Sequence, residues 1–158
     1  NFQELIQQTN GEFSEKFEAK GLKLVVDMPE EPVVIVADGR RLWRVVENLY
    51  NNTAKYAMPN TRVYVELTTV GHMVRFSIKN ISEQPLNINA DELTERFIRG
   101  DVARSTEGSG LGLSIARNLT ELQKGSFNIY LDGDLFKVTI IFPEAEEKTN
   151  RDKSERLV

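Results

Sequence analysis

Apolar residues recur along the chain with two periods, one helical and one of alternate positions, and the switches between them mark the elements. The opening stretch NFQELIQQTNGEFSEKFEAKG sets Phe2, Leu5, Ile6, Phe13 and Phe17 at near-helical spacing. Thr9, Asn10 and Gly11 interrupt it, so a helix with a break is expected, and Gly21 reads as its C-terminal cap. LKLVVDMP and VVIVA read as strands on either side of the turn PEEP. Asp38 is placed to cap the next helix, GRRLWRVVENLYNNTAKYA, which ends near Pro59. TRVYVELTTV and MVRFSIKN alternate apolar and polar positions and meet around Gly71 and His72, which predicts a hairpin. A polar loop, a short helical stretch ADELTERF and the charged segment IRGDVARSTEGSG lead into another long helix, LGLSIARNLTELQ. SFNIYL and LFKVTIIF, joined by DGD, make a second hairpin. Beyond Pro143 the tail has too little apolar content to fold and is expected to be disordered.

Helices and mostly antiparallel strands in separate runs predict an α+β fold. The expected form is a two-layer α/β sandwich, a mixed, mostly antiparallel sheet of about five strands packed on about three helices. One domain is expected over residues 1–143, followed by a charged tail over 144–158. Hydrophobic content of 40% and charged content of 28% suit a soluble globular protein. A net charge of −4 offers no broad basic field, so nucleic acid is not an expected partner. The absence of cysteine excludes disulfides and thiolate metal sites, and His72 as the single histidine excludes a histidine metal cluster. No apolar run reaches membrane-spanning length, and no signal-peptide pattern is present. A start at Asn rather than Met reads as a piece of a longer protein. Trp43, on a helix, reads as packing rather than as a ligand platform.

Two segments carry candidate chemistry. In EGSGLGLSIA, residues 107–116, Gly108, Gly110 and Gly112 run into an apolar helical pattern. Glycines without a Cβ leave the first N–H groups of a helix open to an anion, and the helix dipole adds to the attraction. Alone, such a run is equally a flexible loop that ends in a helix. The form GxGxG after a charged loop is not the GxGxxG of a dinucleotide fold, and no GK[ST] is present to make a Walker A loop. In NLYNNTAKY, Asn48, Asn52 and Lys55 project from one helix face, beside the core stripe Leu42, Val46, Leu49 and Thr53. The asparagines therefore stand at the edge of the core, where polar groups need partners. They could form a solvated face or a side-chain network; with a ligand, Asn52 could contact a hard cation and Lys55 a phosphate.

Taken in order, NLYNNTAKY, ERFIRGD and GSGLGLSIA resemble the N box, F box and second glycine box of the ATP-binding catalytic domain of sensor histidine kinases. That Bergerat-type nucleotide fold is shared with type II topoisomerases, one class of chaperones and mismatch-repair ATPases, and the resemblance covers Phe2 to Pro143. It implies that Asn52 would ligand Mg²⁺ and that Asn48 would lie against the phosphates of ATP. Lys55 and Tyr56 would flank the phosphate and ribose, and Arg99 would reach the terminal phosphate, which makes Arg99 and Lys55 the implied catalytic residues. Residues 102–107 would form a mobile lid, and the backbone at Gly108, Gly110, Leu111 and Gly112 would cradle the phosphates.

The chain departs from the family pattern in two places. The first glycine box, an Asp followed by Gly-x-Gly, is replaced by KNISEQPLNI, so that Asn80 stands where the Asp would accept a hydrogen bond from the adenine amino group. An amide oxygen still accepts that bond, without charge assistance worth on the order of 1 kcal/mol. Thr94 replaces the first Phe of the F box, while Phe97 is kept. The glutamate that activates water in hydrolysing relatives is Asn48 here, and Glu47 points one helical step away.

The implied activity is therefore transfer of the γ-phosphoryl group to a histidine on a separate dimerisation and phosphoacceptor domain of the same protein, with a response regulator downstream. His72 lies in a predicted turn without a phosphoacceptor pattern around it. The implied setting is a cytoplasmic domain without membrane contact of its own, in a parent protein attached to the cell membrane. Two alternatives stand beside it: a nucleotide-binding-deficient pseudokinase acting as an interaction module, and a serine kinase of the anti-sigma-factor type.

Overall fold

The computed structural model describes residues 1–85 and 109–145. The order of elements is α1 (Phe2–Ala19), β1 (Lys23–Asp27), α2 (Gly39–Tyr56), β2 (Arg62–Val70), β3 (Met73–Ile81), α3 (Ser109–Leu122), β4 (Ser126–Asp132) and β5 (Leu135–Pro143). The strands form one sheet in the order β1-β2-β3-β5-β4, in which β1 pairs parallel to β2 and every other pairing is antiparallel. The expected α+β sandwich is what forms. The expected helix ADELTERF and the lid lie outside the described residues.

Strand alternation builds the core. β5 turns Phe136, Val138, Ile140 and Phe142 inward, and β3 turns Val74, Phe76 and Ile78 the same way. Over them lie Leu42, Val45, Val46, Leu49 and Tyr50 of α2 and Phe2, Ile6, Phe13 and Phe17 of α1. Phe2 stacks on Phe76 at 5.7 Å between ring centroids, and Tyr50 stacks on Phe17 at 5.9 Å. Such aromatic pairs add geometric preference to area burial. Burial pushes the Tyr50 hydroxyl well above its ordinary pKa, so it stays a donor, and it donates to Asn10 Oδ1.

That bond explains one departure from the sequence pattern. α1 runs without a break through Thr9, Asn10 and Gly11. Thr9 bonds back to the Leu5 carbonyl at 2.8 Å, and Asn10 accepts from Tyr50, so both interrupting residues are satisfied without leaving the helix. The C-terminal reading holds: Gly21 has φ +70°, and the N–H groups of Gly21 and Leu22 return to Glu18 and Phe17.

VVIVA is the second departure, because it forms no strand; only Ile35 bridges, to Glu144. Its backbone groups are claimed elsewhere. The Val33 N–H donates to Gln3 Oε1 and the Val33 carbonyl accepts from Phe2, while the Val34 carbonyl accepts from Ala145. Gln3 Nε2 also donates to the carbonyls of Pro29 and Glu31, so one buried amide fastens the whole segment to the start of α1. Gln3→Ala leaves these groups unpaired, and a loss of roughly 1–3 kcal/mol in unfolding free energy is expected by chemical denaturation.

Candidate functional site

Two devices decide what meets at one end of the sandwich. The first is the antiparallel packing of α2 and α3. Asp38 caps α2 by accepting from the N–H groups of Arg40 and Arg41, and its own N–H donates to Gln123 Oε1 at 2.9 Å. This bond sets the start of α2 beside the end of α3, and the two helices pack on each other from there. Fourteen residues back from Gln123 lies Ser109, and fourteen residues on from Asp38 lies Asn52. At 1.5 Å per residue both helices have then advanced equally, so the N-terminus of α3 arrives at the level of Asn52.

The second device stitches the end of α2 to the end of β3. Ala57 bridges Ser82, Met58 N–H donates to the Ile81 carbonyl at 2.7 Å, and Glu83 N–H donates to the Tyr56 carbonyl at 2.8 Å. Asn80 is the last inward position of β3, and it is thereby held next to the final turn of α2. Lys20 Nζ donates to the carbonyls of Ala54 and Lys55, which compensates the negative end of the α2 dipole. Nothing local in the sequence singled out Lys20, because its partners are 34 and 35 residues away.

The predicted side chains are brought together with an unusual feature. Asn52 is 7% exposed and Asn80 2%, while Asn48 is half-buried; Asn48 Nδ2, Asn52 Oδ1 and Asn80 Oδ1 are buried with no hydrogen-bond partner among the described residues. Buried amides are almost always paired, so three orphans among the described residues mark this end of the domain as a candidate site. Leu42, Val46, Leu49 and Thr53 are buried as the stripe predicts, and Thr53 bonds back to the Leu49 carbonyl. Lys55 is exposed and Tyr56 half-buried in the last turn of α2.

The glycines stand differently from their expected place. α3 starts at Ser109, so Gly110, Leu111 and Gly112 belong to its first turn rather than to a loop before it. The first N–H groups of a helix have no carbonyl four residues back within the helix. A Cβ added at Gly112 would meet nothing within 4 Å, and its φ is not positive. Among the described residues, neither internal packing nor backbone conformation demands glycine there. Gly108, Arg99 and residues 102–107 lie outside the described residues.

The residues present fit a hard cation sparingly. Among the described residues no group of three or more His, Asp or Glu side chains could hold a metal, and Asn52 Oδ1 is the orphaned oxygen donor on α2. Magnesium, which keeps most of its water and takes one or two protein ligands, suits such a site. A groove of about 340 Å³ between α1 and α2 lies at the opposite end of α2, lined by Asn1, Glu4, Leu5, Gln8, Gly39, Arg40 and Trp43. It contains none of the predicted site residues. Trp43 is half-buried there, as a packing residue would be, although its Nε1 is buried and unpaired. Among the described residues no helix is long and apolar enough to cross a membrane.

Comparison with known proteins bears on the whole arrangement. Residues 37–150 match the family described as histidine kinase-, DNA gyrase B- and HSP90-like ATPases. The signal transduction histidine-protein kinase/phosphatase MprB of Mycolicibacterium smegmatis is 38% identical over 98 residues, 60% of this chain and 20% of that protein. The sensor protein VanS of Enterococcus faecium is 33% identical over 117 residues, 73% of this chain and 30% of that protein. The chain thus spans less than a third of the length of these curated relatives. The solved catalytic domain of the histidine kinase ThkA superposes with a TM-score of 0.79 at 25% identity, covering 91% of this chain and 93% of that one. With the family match extending from the cap of α2 through β5, the chain belongs to the histidine kinase-, DNA gyrase B- and HSP90-like ATPases.

Proposed function

We propose that the asparagine cluster and the start of α3 bind Mg-ATP, and that residues 1–143 form a catalytic domain delivering the γ-phosphoryl group to a histidine. The acceptor histidine lies on a separate dimerisation domain of the same protein, which passes the group to a response regulator. The parent protein is attached to the membrane and presents this domain to the cytoplasm. The observation that carries the reading is the pair of buried, unpaired amide oxygens, Asn52 Oδ1 and Asn80 Oδ1, at the end where α3 begins.

The chemistry follows from what each group offers. The first N–H groups of α3 and its dipole hold phosphate oxygens, and the open space in front of Gly112 lets them approach the backbone. Asn52 Oδ1 would hold Mg²⁺, which when bound neutralises charge on the phosphate oxygens. Lys55 supplies a cationic donor at the same end, and Arg99 is assigned to the terminal phosphate on the strength of its F-box position. Asn48 stands where a water-activating carboxylate would be needed, and an amide is no general base. Hydrolysis is thereby slowed, and transfer remains: the acceptor imidazole nitrogen forms a bond to the γ-phosphorus as the bond to the β–γ bridging oxygen breaks and ADP departs. The protein's part is positioning and charge stabilisation.

Three variants test this. Asn52→Ala is expected to abolish the Mg²⁺-dependent strengthening of ADP and ATP-analogue binding in calorimetric titration; undiminished Mg²⁺ dependence would remove Asn52 from the site. Gly112→Ala is expected to leave thermal stability unchanged or raise it by up to about 1 kcal/mol, because alanine favours the helix and meets no neighbour. The same variant should weaken nucleotide binding at least about tenfold, since its methyl occupies the phosphate approach. Arg99→Ala is expected to spare ADP binding and to slow transfer to a separately supplied phosphoacceptor domain by about 100-fold, the scale of one lost electrostatic contact to a transition state. Transfer at full rate would make Arg99 structural.

A further inference from the structure

Asn80 breaks the pattern of the strand that carries it. β3 sends Val74, Phe76, Ile78 and Asn80 to the helix-facing side of the sheet, three apolar side chains followed by one amide. An apolar residue at the fourth position would continue the core. The amide there is 2% exposed, its Oδ1 is buried, and it makes no hydrogen bond among the described residues. An orphaned group in such a place lowers stability unless a ligand completes it.

The two ends of a nucleotide differ in what they tolerate. Triphosphate is strongly anionic and belongs with the N–H groups that open α3 and the exposed Lys55. A purine is flat and uncharged, and only it suits a buried amide at the end of an apolar row. Asn80 also stands, by the family resemblance, where an acceptor for the adenine amino group would lie, which assigns it to the base.

Resting on the Mg-ATP reading of this site, we infer that Asn80 reads the hydrogen-bonding edge of the purine and, being an amide, admits guanine as well as adenine nucleotides. An ionised carboxylate at this position only accepts hydrogen bonds. It matches the N6 amino group of adenine and faces the O6 acceptor of guanine without a proton to share. A carboxamide has one acceptor and one donor atom, and a half-turn about χ2 exchanges them without moving the backbone. In one setting Oδ1 accepts from adenine N6–H while Nδ2–H donates to N1. In the other, Nδ2–H donates to guanine O6 while Oδ1 accepts from N1–H. Both purines are then matched by two hydrogen bonds. A carboxylate would leave a buried acceptor against an acceptor, the situation in which sites reject a wrong ligand most strongly.

The test is calorimetric titration of the purified chain with Mg-ADP and with Mg-GDP, repeated with Asn80→Asp after its folding is verified by thermal melting. The two affinities of the unaltered chain are expected to lie within about tenfold of each other. Asn80→Asp is expected to widen the preference for ADP at least about tenfold, by tighter ADP and weaker GDP binding. ADP binding with GDP more than about 100-fold weaker in the unaltered chain would overturn the inference while leaving the ATP site intact. An unchanged ratio in folded Asn80→Asp would overturn it equally. If neither nucleotide bound, the Mg-ATP reading would itself fail and take the inference with it. The comparison on the unaltered chain decides the matter even if Asn80→Asp does not fold.

Discussion

The antiparallel seating of α3 on α2 governs the rest of the molecule, because it determines which ends of the two helices coincide. One hydrogen bond, from the Asp38 N–H to Gln123 Oε1, fixes the register at the closed end. Ala116 is fully buried, and the buried Thr120 and Thr53 spend their hydroxyls on carbonyls of their own helices, so neither needs a partner from another element. With the register set, the N–H groups that open α3 emerge beside Asn52 rather than beside Trp43. A parallel seating would have placed the same donors at the groove between α1 and α2, among none of the three asparagines.

The sheet enters this arrangement through the stitch between α2 and β3. Two backbone hydrogen bonds within residues 56–58 and 81–83, which make up the Ala57–Ser82 bridge, bring an inward position of a central strand next to the last turn of a helix. Asn80 and Asn52 thus share one end of the sandwich although 27 residues of hairpin, turn and helix end separate them in sequence. α1 is a brace for the same end. Lys20, at its C-terminus, holds the carbonyls that finish α2, and Tyr50 reaches across to Asn10 in its middle.

All three orphaned groups at this end belong to amides, and that choice has an electrostatic meaning under the proposed reading. A polyphosphate is repelled by carboxylates, and each carboxylate near it must be offset by a cation. By the family resemblance Asn48 and Asn80 stand where a Glu and an Asp respectively would be expected, and both are neutral amides here. The site gives up a general base at one position and a charge-assisted acceptor at the other. What it retains is polar atoms without partners, helix N–H groups, and the space that Gly112 leaves open. The stability lost by burying unpaired amides is carried by the aromatic and β-branched core beneath them.

The hydrophobic pattern by itself determined the long elements. Alternation in β2, β3 and β5, and the stripe Leu42, Val46, Leu49 and Thr53, are local consequences of backbone geometry, so they are legible residue by residue. The same locality makes the Asp38 cap and the Gly21 terminus legible, and the ordered motifs carry the family resemblance in the sequence itself. Where the reading failed, the deciding partner was distant. Gln3 took the backbone of VVIVA out of the sheet, and Tyr50 and Leu5 kept α1 whole through Asn10 and Thr9. Motif position had matched Asn80 to the aspartate of the first glycine box, but its being an unpaired buried amide rests on contacts that exist only after the chain closes. Periodicity reports which face of an element is apolar; what stands opposite that face, and which polar group is left without a partner there, is set by tertiary packing alone.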